Sequence, residues 1–179
     1  MWTIAYRATT VHDPTRTEGN DSLTASLFVR SLSPEGARAE QDLVIDRLRT
    51  LQDRGVLADL SLTIWGSRLR SSSARRTETG RELLDAIDRL EAWADRQEPS
   101  RSLCFDSRAV RSTITGGRET ELVLPLMCLA VSKNDRLQCV APWCEGEVVR
   151  TVTDCLDAIS DPTAIDAHPP TEDVDPLLQ

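Results

Sequence analysis

The chain has 179 residues, of which 40% are hydrophobic and 4% are aromatic, a composition that predicts one folded domain with an aliphatic core. It contains no run of 18 apolar residues, and its first residues lack the basic start and long apolar stretch of a signal peptide. We therefore expect a cytoplasmic protein without membrane association.

Arginine and aspartate dominate the charged residues. Acids outnumber bases by 29 to 21, which gives a formal net charge of −8, and Lys133 is the only lysine. Of the 29 acids, 17 are Asp. This balance is expected of a salt-loving archaeon, with an acidic protein of a GC-rich bacterium as the alternative. Net charge bears on solubility and partners rather than on fold.

The first third of the chain predicts a strand, a helix and a second strand. Residues 1–20 are polar and rich in turn formers, and we interpret them as an N-terminal extension. The stretch SLTASLFVRSL then alternates apolar and polar side chains, as a strand does. A helix follows from Ser33, which can cap it, to Gly55, which is placed to end it. ADLSLTIWG alternates again, and a strand–helix–strand unit is most often a parallel crossover.

The segment WGSRLRSSSARRTETG, residues 65–80, predicts a loop rich in arginine and serine. A second helix follows it. Thr79 and Glu82 have the spacing of a capping box, which places the start of that helix. Leu83 and Ile87 begin its apolar stripe.

The second half of the chain predicts three strands and a closing helix. SLCFDSRAVRSTIT is extended, and the glycines at 116–117 indicate a hairpin. The apolar run Leu122–Val131 predicts a central strand with an irregularity at Pro125. RLQCVAPW predicts another strand after a turn at KND. The last stretch, CEGEVVRTVTDCLDAIS (144–160), predicts a helix whose buried stripe begins at Val148.

Together these elements predict the order β-α-β-α-β-β-β-α in a single α+β domain, residues 21–160. One mixed sheet covered by helices is the economical architecture, and a thioredoxin-like or ferredoxin-like variant is the alternative. Residues 161–179 are rich in Pro and acids, so we expect a disordered acidic tail.

Several stretches are characteristic of one protein family: LFVRSLSPEGARAEQDLVIDRL, LTIWG, the RTETGR before the second helix, WA at 93–94, ELVLPLMCLAV and CVAP. Through them the chain, from about Leu23 to Ile159, resembles a haloarchaeal (Halobacteria) family described as helix-turn-helix domain proteins. The resemblance implies a small haloarchaeal DNA-binding protein of transcription regulation, with no catalytic residues to assign.

The residue pattern by itself does not predict a helix-turn-helix. That motif needs two helices joined by a turn of three or four residues. Here a predicted strand at 60–65 and the loop at 65–80 separate the first helix from the second.

The arginines of residues 65–80 form the candidate binding site for an anion or a nucleic acid. Arginine forks bind phosphates through two hydrogen bonds, and a helix N-terminus adds amide donors and its dipole. If later arginines join them, the acidic chain displays one basic face. The candidate site residues are Arg68, Arg70, Arg75, Arg76, Arg111 and Arg118, with Arg101 and Arg108 extending the same basic character.

The alternative is a solvated loop whose arginines pair with Asp and Glu of neighbouring helices. Phosphate binding draws on counterion release and therefore weakens as salt rises. The loop also offers only Trp65, at its edge, for stacking on a base.

Motifs for catalysis and for metal binding are missing from the sequence. It has no GxSxG, HExxH, P-loop or GxGxxG pattern and no CxxC pair. His12 and His168 lie in polar terminal segments. Cys139 and Cys144, in CVAPWC, lack clustered partners for zinc, so we interpret the cysteines as small buried hydrophobic residues. We predict a protein without enzymatic activity, metal or cofactor.

The sequence thus favours a non-enzymatic regulator that contacts DNA through the arginine loop. The alternative is a protein-interaction or dimerisation module without a nucleic-acid role, acting through a sheet face or groove. The apolar residues that could form such a face are Val123, Leu124, Leu126 and Met127, although apolar strand residues more often belong to the core.

Overall fold

A four-stranded sheet with helices packed on both faces forms the centre of the fold. The computed structural model describes residues 23–32, 36–97, 100–111 and 117–160. The predicted N-terminal extension, the predicted tail, the predicted cap at Ser33 and both histidines lie outside the described residues.

The described part of the chain contains ten strands and four helices. The strands are β1 (Leu23–Val29), β2 (Leu57–Ile64), β3 (Arg68–Arg70), β4 (Arg101–Leu103), β5 (Asp106–Arg111), β6 (Arg118–Val123), β7 (Met127–Lys133), β8 (Arg136–Ala141), β9 (Trp143–Glu145) and β10 (Val148–Arg150). The helices are α1 (Arg38–Asp53), α2 (Ser71–Ala74), α3 (Glu78–Gln97) and α4 (Val152–Ser160).

The central sheet has the strand order β2-β1-β7-β8. β1 runs parallel to β2 through the crossover helix α1, so the predicted strand–helix–strand crossover is confirmed. Gly55 (φ 75°) follows the end of α1, as predicted. β7 runs antiparallel to β1 and forms a hairpin with β8. Asn134 and Asp135 have φ of 52° and 63°, as a type I′ turn requires, which confirms the turn predicted at KND.

Both faces of the central sheet are buried, which explains why successive residues of β1 are apolar at its end. Leu27 and Val29 pack with α1 and α4 in one core cluster, while Phe28 packs with α3 in a second cluster. The result is an α+β fold with a mixed sheet, as the sequence predicts. Among the residues that the structure describes, none of the helices combines the length and the apolar composition of a membrane span.

The apolar run Leu122–Val131, predicted as one central strand, forms two strands in different sheets. β6 lies in the three-stranded sheet β3-β6-β5, and β7 lies in the central sheet. Between them the Leu124 amide donates to the Ser67 carbonyl (3.0 Å), and the Leu124 carbonyl accepts from Arg30 Nε (2.8 Å). Pro125 has no amide hydrogen to continue a ladder, so the chain leaves one sheet here before it enters the other.

The closing helix is shorter than the predicted range 144–160. Its predicted first half forms the hairpin of β9 and β10, which turns at Gly146 (φ 59°). α4 begins after Thr151, whose Oγ1 accepts from the Asp154 amide at 3.2 Å while the Asp154 carboxylate accepts from the Thr151 amide at 2.8 Å. This reciprocal cap starts the helix. Val148 is therefore exposed in β10 rather than buried on the helix stripe.

Replacing Leu48 by Ala is expected to destabilise the protein by about 2–5 kcal/mol, because this fully buried side chain packs α1 against the central sheet and its loss leaves a cavity. Leu43 lies in the same helix but is 59% exposed, which makes Leu43→Ala the matched control. The control should change the free energy of unfolding by less than about 0.5 kcal/mol. Urea denaturation followed by circular dichroism measures both. Equal losses from the two variants would contradict this orientation of α1.

Candidate nucleic-acid interface

The three-stranded sheet β3-β6-β5 places arginines around one buried carboxylate. In its antiparallel register, Glu121 of β6 lies opposite Arg70 of β3 and opposite Arg108 of β5. Arg68 precedes Arg70 by two residues and therefore lies on the same face of the sheet. Leu69, between these arginines, packs against the core on the other face.

Glu121 is the centre of this arginine cluster (Arg68, Arg70 and Arg108). Its side chain is 2% exposed, whereas each arginine side chain is about half exposed. Arg70 Nε donates to Oε1 (2.9 Å), and Arg108 donates to Oε2 through Nε (2.7 Å) and Nη2. Arg68 Nη1 lies 3.9 Å from Oε2. The hydrogen bonds from Arg108 and then Arg70 hold the pKa of Glu121 below its ordinary value. One carboxylate faces three guanidinium groups, so the cluster retains positive charge.

A short helix, a tight turn and a long helix follow β3 directly. Only residues 75–77 separate α2 from α3. The predicted loop thus contains a helix, and the predicted cap by Thr79 and Glu82 is wrong by two residues. Thr77 caps α3, because its Oγ1 accepts from the Gly80 amide at 3.1 Å. Two helices joined by three residues satisfy the spacing of a helix-turn-helix, which the residue pattern did not predict.

Gly80 sets how closely α2 and α3 pack. A Cβ atom at this position would lie 2.2 Å from the Ala74 carbonyl oxygen and 2.6 Å from the Ala74 Cα atom. Both are backbone atoms, so a side-chain movement cannot relieve the clash. α2 is also held by Glu119 of β6, whose carboxylate accepts from the amide (3.2 Å) and from the hydroxyl of Ser72. These contacts fix the turn relative to the arginine cluster.

The six predicted site residues lie in three places. Arg68 and Arg70 belong to the arginine cluster, Arg75 and Arg76 are exposed in the turn, and Arg111 and Arg118 pair through their backbones at the end of the β5–β6 hairpin. Within the described ranges, the turn arginines have no ion-pair partner, whereas Arg68 and Arg70 pair with Glu121. The arginine cluster and the turn are therefore neighbours along the chain, whereas Arg111 and Arg118 lie apart from them at the end of the hairpin.

The residue pattern did not reveal the roles of Glu119, Glu121 and Gly80. The two glutamates alternate along β6, which places them on one face, but their partners come from other elements and depend on the strand register. Gly80 did leave a local signal. A glycine inside a helical pattern costs helix stability and usually has a packing reason.

The cysteines and the apolar strand residues offer no comparable site. Cys128 and Cys155 are buried, while the other three cysteines are half-buried. Burial raises the pKa of Cys104 to about 12 and also raises that of Cys128, so these thiols stay protonated at neutral pH. No group of three or more metal-ligating side chains occurs among the described residues.

The apolar residues considered for a protein-interaction module belong mostly to the core. Leu124 and Met127 are buried, Val123 is half-buried, and Leu126 is exposed. A face built on this segment would therefore present little apolar surface to a partner.

A family model described as "Helix-turn-helix domain" matches residues 17–164, which include every described helix and strand. No curated protein and no solved structure matches the chain.

Replacing Gly80 by Ala is expected to destabilise the protein by about 1–3 kcal/mol, because the new methyl group meets the Ala74 backbone. The direction of the stability change is informative, because Gly→Ala in the interior of an isolated helix stabilises that helix by about 1 kcal/mol. Glu82→Ala, at an exposed position of the same helix, is the control and should change stability by less than about 0.5 kcal/mol. Thermal unfolding measures both, and a Gly80→Ala variant more stable than the natural protein would rule out the close packing of α2 on α3.

Replacing Glu121 by Gln should make stability depend differently on pH. The pKa of Glu121 is lowered from its ordinary value of 4.5 in the folded state, so its charge stabilises the fold above that pH. The contribution is lost as pH falls through the lowered folded pKa. We expect the Glu121→Gln variant to be less stable than the natural protein at neutral pH and the difference to shrink in acid. Urea denaturation at about pH 7 and about pH 3 measures the free energy of unfolding of both proteins. An equal difference in this free energy at the two pH values would contradict the pairing of Glu121 with Arg70 and Arg108.

Proposed function

The chain belongs to the helix-turn-helix domain family, and on this premise we propose that it is a DNA-binding regulator. Its DNA-contacting surface is α2, the turn at residues 75–77 and the first turn of α3. The arginine cluster lies next to this surface because β3 runs directly into α2.

The observation that carries the proposal is the pair of exposed arginines in the turn. Within the described ranges, Arg75 and Arg76 have no carboxylate partner, and they stand immediately before the N-terminus of a 20-residue helix. A helix N-terminus carries amide donors and the positive end of the helix dipole, which favour phosphate. Arginine forks there match the geometry of a DNA phosphate. Contacts of this kind fix a protein's position on the duplex and do not read its sequence.

The charge of α3 limits the contact to the start of the helix. From Glu78 to Gln97 the helix carries six acids and three arginines. An acidic helix is repelled by the phosphate backbone and would not lie along the groove. The turn and the serines of α2 are therefore the surface that approaches the duplex, with Arg68, Arg70 and Arg108 adding positive potential behind them.

Two arginines of the candidate site lie outside both the turn and the arginine cluster. Arg111 and Arg118, at the end of the β5–β6 hairpin, are proposed as secondary phosphate contacts apart from the turn. The near absence of lysine and the abundance of Asp support a haloarchaeal source. We propose a cytoplasmic location for the protein. Binding in concentrated salt needs contacts that do not rest on counterion release alone.

The double variant Arg75→Ala, Arg76→Ala is expected to weaken DNA binding and to lower the salt dependence. Each lost phosphate contact removes about 0.9 from the slope of log affinity against log salt, so the slope should fall by roughly 1.8. Fluorescence anisotropy with a labelled pool of duplex sequences, titrated across a potassium chloride series, measures both quantities.

The matched control is Arg38→Ala, Arg49→Ala. It removes the same charge from exposed positions on α1, which packs on the opposite face of the central sheet from α3. The control should leave the slope unchanged. An equal effect of both double variants would show that binding depends only on net charge. Unchanged DNA affinity in the turn variant would show that the turn does not contact DNA. A folded natural protein that binds no duplex at any salt would overturn the proposed function.

A further inference from the structure

A cleft of about 1040 Å³ extends from the second half of α3 past the strands β8 and β9 to the end of α4. Its floor comes from the central sheet, through Ser26 and Phe28 of β1 and Ala130 of β7. On α3 its lining starts at Ala86, so the cleft does not include the turn proposed to contact DNA. Its size is that of a pocket for a small molecule.

The lining of this cleft is positive in a chain whose net charge is −8. It contains five arginines and two acids. The charged lining residues are Arg89, Arg96, Arg101, Arg136, Arg150, Asp135 and Glu145. Among the described residues, Arg101 is the only one of these arginines with an ion pair. A concave, positive lining of this kind concentrates anions.

Arg101 is the buried anchor of the cleft. Its side chain is only 9% exposed, and its Nη2 lies 3.6 Å from Glu145 Oε2, beyond hydrogen-bond distance. The Arg101 Nε is buried and has no hydrogen-bond partner within the described ranges. The second carboxylate oxygen of Glu145 accepts from Ser100 Oγ (3.3 Å). A buried Nε without a partner is costly, and an anion bound at the terminal guanidinium nitrogens would offset that cost.

The cleft also offers flat apolar surface beside this charge. The Arg101 guanidinium carbon lies 4.0 Å from the centroid of the half-buried Trp143 ring. Leu137 and Phe28 continue the apolar lining. Trp93 is fixed in the wall, because its Nε1 donates to the Leu137 carbonyl at 3.1 Å. Aromatic and guanidinium planes in one wall suit a ligand that is itself planar.

We propose that this cleft binds a free nucleoside phosphate, with its base against Trp143 and Leu137 and its phosphate on Arg101 and the rim arginines. Three excess positive charges suit a phosphate better than a single carboxylate, and arginine forks match phosphate oxygens bidentately. The site goes beyond DNA binding and does not rest on it, since the two surfaces share no lining residue.

Isothermal titration of the full chain with the four common nucleoside 5′-monophosphates tests the proposal. At least one of them should bind. Adenosine, which has the ring without the charge, and inorganic phosphate, which has the charge without the ring, should each bind at least about tenfold more weakly. Equal binding of inorganic phosphate and the nucleotides would show simple anion attraction and overturn the proposal, as would no binding of any nucleotide.

Two variants locate the ligand. Arg101→Lys keeps the charge but loses the fork, so nucleotide affinity should fall at least about tenfold. The double variant Arg89→Ala, Arg150→Ala changes only exposed residues at the rim of the cleft. It therefore tests nucleotide binding even if the Arg101→Lys variant does not fold. Arg38→Ala, Arg49→Ala is the charge-matched control and should bind like the natural protein. Unchanged affinity in the rim variant would overturn the site.

A duplex-DNA arm separates the two sources of phosphate. The Arg75→Ala, Arg76→Ala variant should lose DNA affinity and keep its nucleotide affinity, while the rim variant should do the reverse. If the rim variant loses both to the same extent, the cleft is part of the DNA surface and the nucleotide proposal fails. If DNA binding is absent throughout while nucleotides bind, the proposed function fails and the cleft stands.

Discussion

The packing of α3 across the second face of the central sheet is the constraint on which both candidate sites depend. Leu84, Ile87, Leu90 and Trp93 bury one stripe of the helix over most of its length. A helix of 20 residues is about 30 Å long, so its two ends lie far apart but are held as one rigid body. The turn at residues 75–77 directly precedes the first residue of α3. The second half of α3 forms one wall of the cleft. Neither surface can move without disturbing the core between them.

The arginines of β3 and β5 differ from those of the turn, because only the former pair with a buried carboxylate. Glu121 is buried, and a buried carboxylate without its cations would be strongly destabilising. Arg70 and Arg108 therefore stabilise the folded sheet, whatever they add to the surface potential. Arg75 and Arg76 satisfy no buried group within the described residues, so their removal costs the fold little. This difference explains why the turn, rather than the larger cluster, is the better place to test binding.

Local periodicity was enough to predict much of the fold. β1, α1 and β2 each bury a stripe set by their own sequence, and the turn at Asn134 and Asp135 needs residues that accept positive φ. The run Leu122–Val131 was misassigned because its halves are equally apolar while their partners differ. β6 pairs with β3 and β5, and β7 pairs with β1 and β8. That choice depends on long-range pairing, and the only local trace of the break is Pro125. The role of Glu121 was hidden for the same reason.

The pair of helices α2 and α3 was missed because α2 has only four residues, too few to show a period of 3.6. Such a short helix has little stability of its own, since the first turn costs more entropy than one hydrogen bond returns. It persists here through contacts from outside: Glu119 holds Ser72, and Gly80 lets the backbone at Ala74 approach α3. A motif stabilised in this way is rigid only while the three-stranded sheet is intact. The buried carboxylate of Glu121, which joins the strands of that sheet, therefore also determines where Arg75 and Arg76 lie.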